Sequence, residues 1–206
     1  MNLKVSIALA CYNGQKYIKE QLLSLLNQTR PADEVIIVDD NSNDDTPKII
    51  NEFIETHKLI NYKYYVNDSN LGYVKNFHKA LSKTSGDLIF LCDQDDIWEK
   101  SKIEKIYNIY QQHPEISALS TSYQLIDQYS NKISPKHFDG VQNKVLQGIP
   151  RNSLVKINHI DTLFGSISPK TCCCCLSFSC NNLSFKKSIP SSINLSLCYN
   201  TYKHLP

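Results

Sequence analysis

The run EVIIVDD, Glu34 to Asp40, constrains this chain more than any other stretch. Four consecutive aliphatic residues fit a strand covered on both faces and do not fit a strand with one wet face. DLIFLCD, Asp87 to Asp93, repeats the pattern, and KVSIALA, Lys4 to Ala10, precedes both. Between these runs the apolar residues change to helical spacing. YIKEQLLSLLNQT places Ile18, Leu22, Leu25 and Leu26 on one face. DDTPKIINEFIETHK opens with Thr46 as N-cap and Pro47 in the first turn, with Ile49, Ile50, Phe53 and Ile54 facing inward. GYVKNFHKALSKTSG predicts a third helix with Val74, Phe77 and Leu81 inward, and EKSKIEKIYNIYQQH a fourth. YKYYV and ISALSTSYQLID complete the set of strands. Strands alternating with helices imply right-handed βαβ units, hence an α/β, Rossmann-like, mostly parallel sheet flanked by helices.

In such a sheet, ligands bind beyond the carboxyl ends of the strands. The polar clusters of this sequence fall there: Cys11–Tyr12–Asn13 after the first strand, Asp39 to Ser42 after the second, and Asp93–Gln94–Asp95–Asp96 after the fourth. The last cluster packs three carboxylates into four positions, where each raises the cost of ionising its neighbours unless a cation compensates. Neither G-x-G-x-x-G nor G-x-x-x-x-G-K follows a strand, so no glycine-rich loop cradles a phosphate. A carboxylate-lined crevice would repel a diphosphate unless Mn²⁺ or Mg²⁺ bridged the two, since these ions take one or two carboxylates plus phosphate oxygens.

A formal net charge of +2 gives no nucleic-acid footprint. No apolar run approaches the roughly 18 to 20 residues of a membrane span. MNLKVSIALACYNG reads as a first strand leading into a turn rather than as a signal peptide, which predicts a cytoplasmic protein. Cys11 and Cys92 stand alone in apolar surroundings, as small buried thiols do. The other six cysteines follow Thr171, four of them consecutive at 172–175, a spacing unlike that of a metal site. All 20 acidic residues precede Thr171, and the last 36 positions hold no Gly and no Ala. With no sustained helical or strand period, 171–206 is expected to be an aberrant, low-complexity tail, as from a shifted or truncated reading frame, behind a domain at 1–170.

Four motifs, VSIALACYNGQKYIKEQLLSLLNQT, EVIIVDDNSNDDT, NLGYVKNFHKAL and GDLIFLCDQDDIW, resemble in order and spacing the family 2 glycosyltransferases. The DQDDIW form looks most like the bacterial, rhamnosyltransferase-like branch that builds surface polysaccharides. The resemblance implies the GT-A fold and a nucleoside-diphosphate sugar donor, UDP- or dTDP-linked, held with Mn²⁺ or Mg²⁺. Its sugar would pass with inversion to a saccharide or lipid-linked saccharide acceptor. Such an acceptor suits a peripheral place at the inner face of the plasma membrane. Ala10, Tyr12 and Asn13 would then pack against the base, largely through backbone. Asp40 would accept from the imide of uracil or thymine, with Asp39 shaping that loop. Asn70, Gly72 and Lys75 would lie near the donor. Asp93 and Asp95 match D-x-D, with Asp95 and Asp96 nearest the metal. Trp98 fits a core anchor better than a sugar platform.

The acceptor half is where the pattern fails. The branch places its general base in an H-D-W motif after a Gly–Cys turn. Here SISPKTCCCC stands near that turn, nothing like H-D-W follows, and no acid comes after Asp161. The late residues Asp127, Asp139 and Asp161 lie outside any such motif, so no catalytic base is assigned and the acceptor half is expected to be incomplete. Two rivals follow: a nucleotide-sugar-binding remnant without transfer activity, and a phosphoacceptor receiver module. The second has its acidic pair one strand too late and about ten residues too far from Asp93.

Overall fold

A computed structural model of the chain describes residues 2–132 except 115 and 117, together with strands at 176–179 and 195–204. The elements run β1 (Val5–Cys11), α1 (Ile18–Leu26), β2 (Glu34–Asp39), α2 (Thr46–Thr56), β3 (Tyr62–Val66) and α3 (Tyr73–Lys83). They continue as β4 (Leu88–Asp93), β5 (Asp96–Trp98), α4 (Lys102–Gln112), β6 (Ala118–Ile126), β7 (Leu176–Ser179) and β8 (Leu195–His204). The eight strands among the described residues belong to one sheet in the order β3-β2-β1-β4-β7-β6-β8-β5. The chain builds outward from β1 through β2 to β3, then returns to lay β4 on the other side of β1. Those four strands are parallel, with Ile7 opposite Val35 on one side and Phe90 on the other. A reversal of strand order of this kind opens a crevice at the carboxyl ends of the two strands it separates, β1 and β4.

Every residue of β1 and β2 is buried, as the unbroken apolar runs predict. Ile7, Leu9, Val35, Ile37, Leu88 and Phe90 form the core with Ile18, Leu22 and Leu25 of α1, Ile50 and Phe53 of α2, and Ile103 and Ile106 of α4. Trp98 is buried against Phe90, with ring centroids 5.6 Å apart, which confirms a core anchor. Cys11 and Cys92 are buried free thiols.

Three expectations about elements need correction. Val74 is 62 % exposed, and α3 instead buries Asn76, Phe77 and Ala80. The first turn of α3 is exposed, and the helix meets the sheet through Asn76, whose amide bonds the backbone of β1 and β2. Thr46 is not an N-cap but the first residue of α2. Its N–H donates to Asp44 Oδ1 at 2.9 Å, and Asp45 occupies the cap position. The segment after Thr171 supplies two strands. β7 is four residues long, too short to show a period, and β8 alternates only as far as Tyr199. There the pairing with β6 skips Asn200, so a bulge shifts the alternation. The cysteine block at 172–175 lies outside the described residues.

The amino ends of the strands are tied together by Glu34. The Ser6 hydroxyl and the Ser85 N–H donate to its Oε1 at 2.7 and 2.8 Å, and the Ser85 hydroxyl reaches Oε2 at 3.0 Å. Gly86 has to be glycine there, because a Cβ would lie 2.8 Å from the Lys4 carbonyl and the Ser6 nitrogen. Burial pushes the Glu34 carboxyl up, but the bonds from Ser6 and Ser85 and the Lys4 charge outweigh it, leaving it below the usual range. A depressed folded pKa stabilises the fold fully above the unfolded value of about 4.3, and that contribution is lost as pH falls through the folded value. Urea unfolding at pH 6 and at pH 3 should therefore show a smaller acid-induced loss in Glu34→Gln than in the wild type. Equal losses in the two proteins would contradict this.

Candidate functional site

The crevice is built from the loops that leave β1, β2, β3 and β4. After β1 the chain turns at Asn13, whose φ of 47° lies in the left-handed region that Asn tolerates better than most residues. That turn is stitched to the loop after β2. Asn13 N–H donates to Ser42 Oγ at 2.8 Å, Gly14 N–H to Thr46 Oγ1 at 2.7 Å, and Asn13 Oδ1 accepts from Asn43 N–H at 3.0 Å. Gln15 N–H donates to Asp44 Oδ2 at 3.1 Å. Burial would raise the Asp44 carboxyl, but bonds from Thr46 and Gln15 hold it below the usual range.

Asp39 and Asp40 close β2, both buried. Asp39 accepts from Ser42 N–H and from the Tyr64 hydroxyl, each at 2.8 Å. Burial, then the bond to Asp39, push the Tyr64 phenol far above its ordinary value, so it remains a donor. Asp40 Oδ1 accepts from Asn67 Nδ2 at 2.7 Å and Leu71 N–H at 2.8 Å, and its Oδ2 accepts from Gly72 N–H at 2.8 Å. Asp40 therefore holds the loop that launches α3. Its Oδ2, which accepts one hydrogen bond, keeps capacity for a further donor.

Two buried asparagines that sequence reasoning missed fasten this loop to the sheet. Asn76 Nδ2 donates to the carbonyls of Val38 and Cys11 at 3.0 and 3.3 Å, and its Oδ1 accepts from Asn67 Nδ2 at 3.0 Å. The signal was present in NLGYVKNFHKAL: Asn76 precedes Phe77 on the buried face, where a polar residue has to find partners. Asn70 is exposed and accepts from Gly72 N–H at 3.0 Å. Gly72 has φ 81°, which explains a glycine at that point. Lys75 is exposed on the first turn of α3.

At the end of β4, Asp93 lies opposite Ala10 of β1, and its Oδ1 accepts from Gln94 N–H at 3.1 Å. The Gln94 side chain bonds the backbone of Tyr12 in both senses. Its Oε1 accepts from Tyr12 N–H at 2.7 Å and its Nε2 donates to Tyr12 C=O at 3.0 Å. The backbone of the Tyr12–Asn13 turn is thus engaged with neighbouring loops. Tyr12 itself is 43 % exposed. Asp95 Oδ1 is shielded from water and has no hydrogen-bond donor. Asp96 is 1 % exposed on β5, paired through its backbone with Lys203 of β8. Lys102, also 1 % exposed, stands 4.0 Å over the Trp98 ring. Burial raises the Cys92 thiol well above its ordinary value; Asp96 adds to the rise while Gln21 and Lys102 oppose it. Of the cluster's carboxylates, Asp95 is the one with an oxygen that is shielded from water and served by no donor.

That unused oxygen is the test of fit for a divalent cation. A buried acceptor without a donor costs about 1–3 kcal/mol, more for a charged group, and a hard cation relieves it. Among the described residues no group of three or more His, Cys, Asp or Glu could hold a metal by itself. Asp95, with Asp93, would give the one or two carboxylates that Mg²⁺ or Mn²⁺ takes when phosphate oxygens complete the shell. Asp127, the one late carboxylate within the described residues, accepts from Tyr129 N–H at 2.8 Å and Asn131 N–H at 2.9 Å and so forms a turn. Asp139 and Asp161 lie outside the described residues. No helix among the described residues is long and apolar enough to cross a membrane.

Comparison with known proteins agrees with this geometry. The family described as glycosyl transferase family 2 matches residues 6–178. An uncharacterised glycosyltransferase of Haemophilus influenzae is 33 % identical over 122 residues, which are 59 % of this chain and 37 % of that protein. The putative teichuronic acid biosynthesis glycosyltransferase TuaG of Bacillus subtilis is 36 % identical over 101 residues, 49 % of this chain and 39 % of that one. The chain thus matches well under half the length of these relatives. Among solved structures, S. aureus TarS 1–349 in complex with UDP-GlcNAc superposes with a TM-score of 0.70 at 20 % identity, over 98 % of this chain and 59 % of that one. Mannosyltransferase PcManGT from Pyrobaculum calidifontis, in complex with GDP-Man and Mn²⁺, gives 0.53 at 24 % identity, over 60 % of this chain and 36 % of that one. These likenesses bear out the mostly parallel GT-A fold, and the receiver module is set aside. With a family match that spans most of its length, the chain belongs to glycosyl transferase family 2.

Proposed function

We propose that this chain is the donor-binding part of a glycosyltransferase. It would hold a UDP- or dTDP-sugar with Mn²⁺ or Mg²⁺ between the ends of β1, β2 and β4, for transfer with inversion to a cell-surface polysaccharide or similar acceptor. The observation that carries this is the donorless Oδ1 of Asp95 beside the β1–β4 crevice. A divalent ion there would supply Lewis-acid stabilisation of the departing diphosphate. Asp95 offers the free carboxylate oxygen, and Asp93, bonded to Gln94 N–H, fixes the turn that presents it. Asp40, with Asn67 and Asn76 behind it, shapes the loop over the base and leaves Oδ2 able to accept from an imide N–H. The exposed Tyr12 ring gives the base an apolar surface, and Lys75 a cation at the mouth. Asp96, buried beside Cys92, would brace the turn in place of ligating the ion. TuaG's part in teichuronic acid synthesis, the UDP-GlcNAc complex of TarS and the Mn²⁺ complex of the mannosyltransferase support the acceptor class, the donor class and the ion respectively.

A second reading, a nucleotide-sugar-binding remnant, is favoured by one observation: Asp127, the one late carboxylate among the described residues, is tied into its own turn. Both readings share the donor site, so a thermal-shift panel of UDP, dTDP, GDP and ADP, each with and without Mn²⁺, tests what they hold in common. At a ligand concentration near 100 times Kd the stabilisation is about 2.7 kcal/mol, roughly 5–10 °C for a chain of this size. A Mn²⁺-dependent shift with UDP or dTDP is expected, and no shift with any nucleotide would overturn the donor site. Release of UDP or dTDP from a bound sugar donor then separates the readings, because a remnant would release none.

A further inference from the structure

Gln94 sits between the two carboxylates of the D-x-D pair and is half-buried. Its amide grips the Tyr12 peptide from both sides, at 2.7 Å to the N–H and 3.0 Å to the C=O. The orientation is fixed, since a backbone donor faces Oε1 and a backbone acceptor faces Nε2. A side chain that satisfies both groups of one peptide residue acts as a strand neighbour would, and it couples two loops with no ladder between them. The same side chain closes against Gly14, where an added Cβ would land on the Gln94 amide. On its other side the Gln94 N–H is held by Asp93 Oδ1 at 3.1 Å. A continuous path therefore runs Asp93–Gln94–Tyr12, from the carboxylates proposed to meet the ion to the ring proposed to meet the base.

We infer that Gln94 is a positioning residue that couples the metal end of the donor site to its base end. Each ligand orders one loop, and Gln94 transmits that order to the other, so metal and nucleotide each bind more tightly in the other's presence. The coupling is reciprocal by linkage and is measured as the ratio of nucleotide Kd without metal to Kd with it. This rests on the donor-site reading above. The Asp93 and Asp95 carboxylates would still meet the ion without Gln94, but the base loop would no longer register it.

The test is calorimetric titration of UDP, with and without saturating Mn²⁺, into the wild type, Gln94→Ala, Gln94→Glu and Gly14→Ala. Gln94→Glu keeps an acceptor for Tyr12 N–H and sets oxygen against Tyr12 C=O, and Gly14→Ala displaces Gln94 from the far side. The wild type should show a ratio well above 1, and all three variants should bring it down at least fivefold. A merely structural role would weaken binding in both conditions alike and leave the ratio unchanged. Variant ratios within twofold of a wild-type ratio above 1 would overturn the coupling and leave the donor site standing. A wild type that binds UDP with a ratio of 1 would overturn the coupling together with the metal's part in the site. A wild type that binds no UDP under either condition would overturn the donor site itself, and the coupling with it.

Discussion

Asp95→Asn should abolish the gain in nucleotide affinity that Mn²⁺ provides while leaving the free protein as stable as before or more so. The substitution keeps shape and hydrogen-bonding reach and removes one charge. In the free protein Asp95 stands between Asp93 and Asp96 with an oxygen that no donor serves. Like charges that close disfavour one another, so neutralising the middle one relieves repulsion and desolvation together. With ligand present the sign reverses, because the ion loses a carboxylate and the diphosphate loses its bridge. A weakening of at least about tenfold in Mn²⁺-dependent UDP affinity is expected, equivalent to about 1.4 kcal/mol. Titrations of the two proteins with UDP in Mn²⁺, beside thermal melts without ligand, measure both halves. A variant that keeps the full Mn²⁺ gain, or that melts several degrees below the wild type, would show Asp95 to be structural. Stability conceded at a binding group is the usual trade between holding a fold and holding a ligand.

The second large effect is expected at Asp40, and it is first a loss of structure. Its oxygens serve Asn67 Nδ2, Leu71 N–H and Gly72 N–H, all drawn from the segment between β3 and α3. Asp40→Ala leaves Leu71 N–H without its acceptor, at a cost of about 1–3 kcal/mol where burial persists, and takes one of two acceptors from Asn67 Nδ2 and Gly72 N–H, which keep Asn76 Oδ1 and Asn70 Oδ1. A drop of roughly 2–3 kcal/mol in unfolding free energy follows, at the upper end of the usual effect of one substitution. Asp40→Asn should be milder, since one oxygen remains, yet its NH₂ must face a backbone N–H. Urea denaturation of the three proteins orders them as wild type, Asp40→Asn, Asp40→Ala. Equal midpoints would mean that the loop is held elsewhere, through Asn76 and the backbone of β2 and β3.

The elements and the site were legible to different depths, and the reasons are physical. Apolar runs such as VSIALA and EVIIVD can be buried on both faces only as inner parallel strands, so their place in the sheet follows from composition and period. Polar clusters at the ends of three such runs then had to meet, because parallel strands bring their carboxyl ends to one edge. The partners of those polar groups were not legible. EVIIVDD marks Asp40 as special, but nothing in it says that the groups donating to its carboxylate lie some thirty positions on, at 67, 71 and 72. Gln94 carries no charge and no period, so its grip on Tyr12 could only be found in three dimensions. Adjacent carboxylates look alike in sequence, so the burial of Asp96 on β5 could only be found in three dimensions. β8 escaped notice because a bulge at Asn200 breaks the alternation on which strand reading depends.

The central claim is that a divalent ion joins Asp95 to a nucleotide diphosphate at the β1–β4 reversal. A crystal of the chain grown with UDP and Mn²⁺, with data collected at the manganese absorption edge, tests it most directly. The expected result is one anomalous peak within about 2.3 Å of an Asp95 oxygen and of a diphosphate oxygen, an ordinary oxygen–metal distance. The uracil should lie beside Tyr12 and the Asp40 loop. A peak that avoids Asp95 while UDP sits in the crevice, or UDP bound at another face of the sheet, would contradict it.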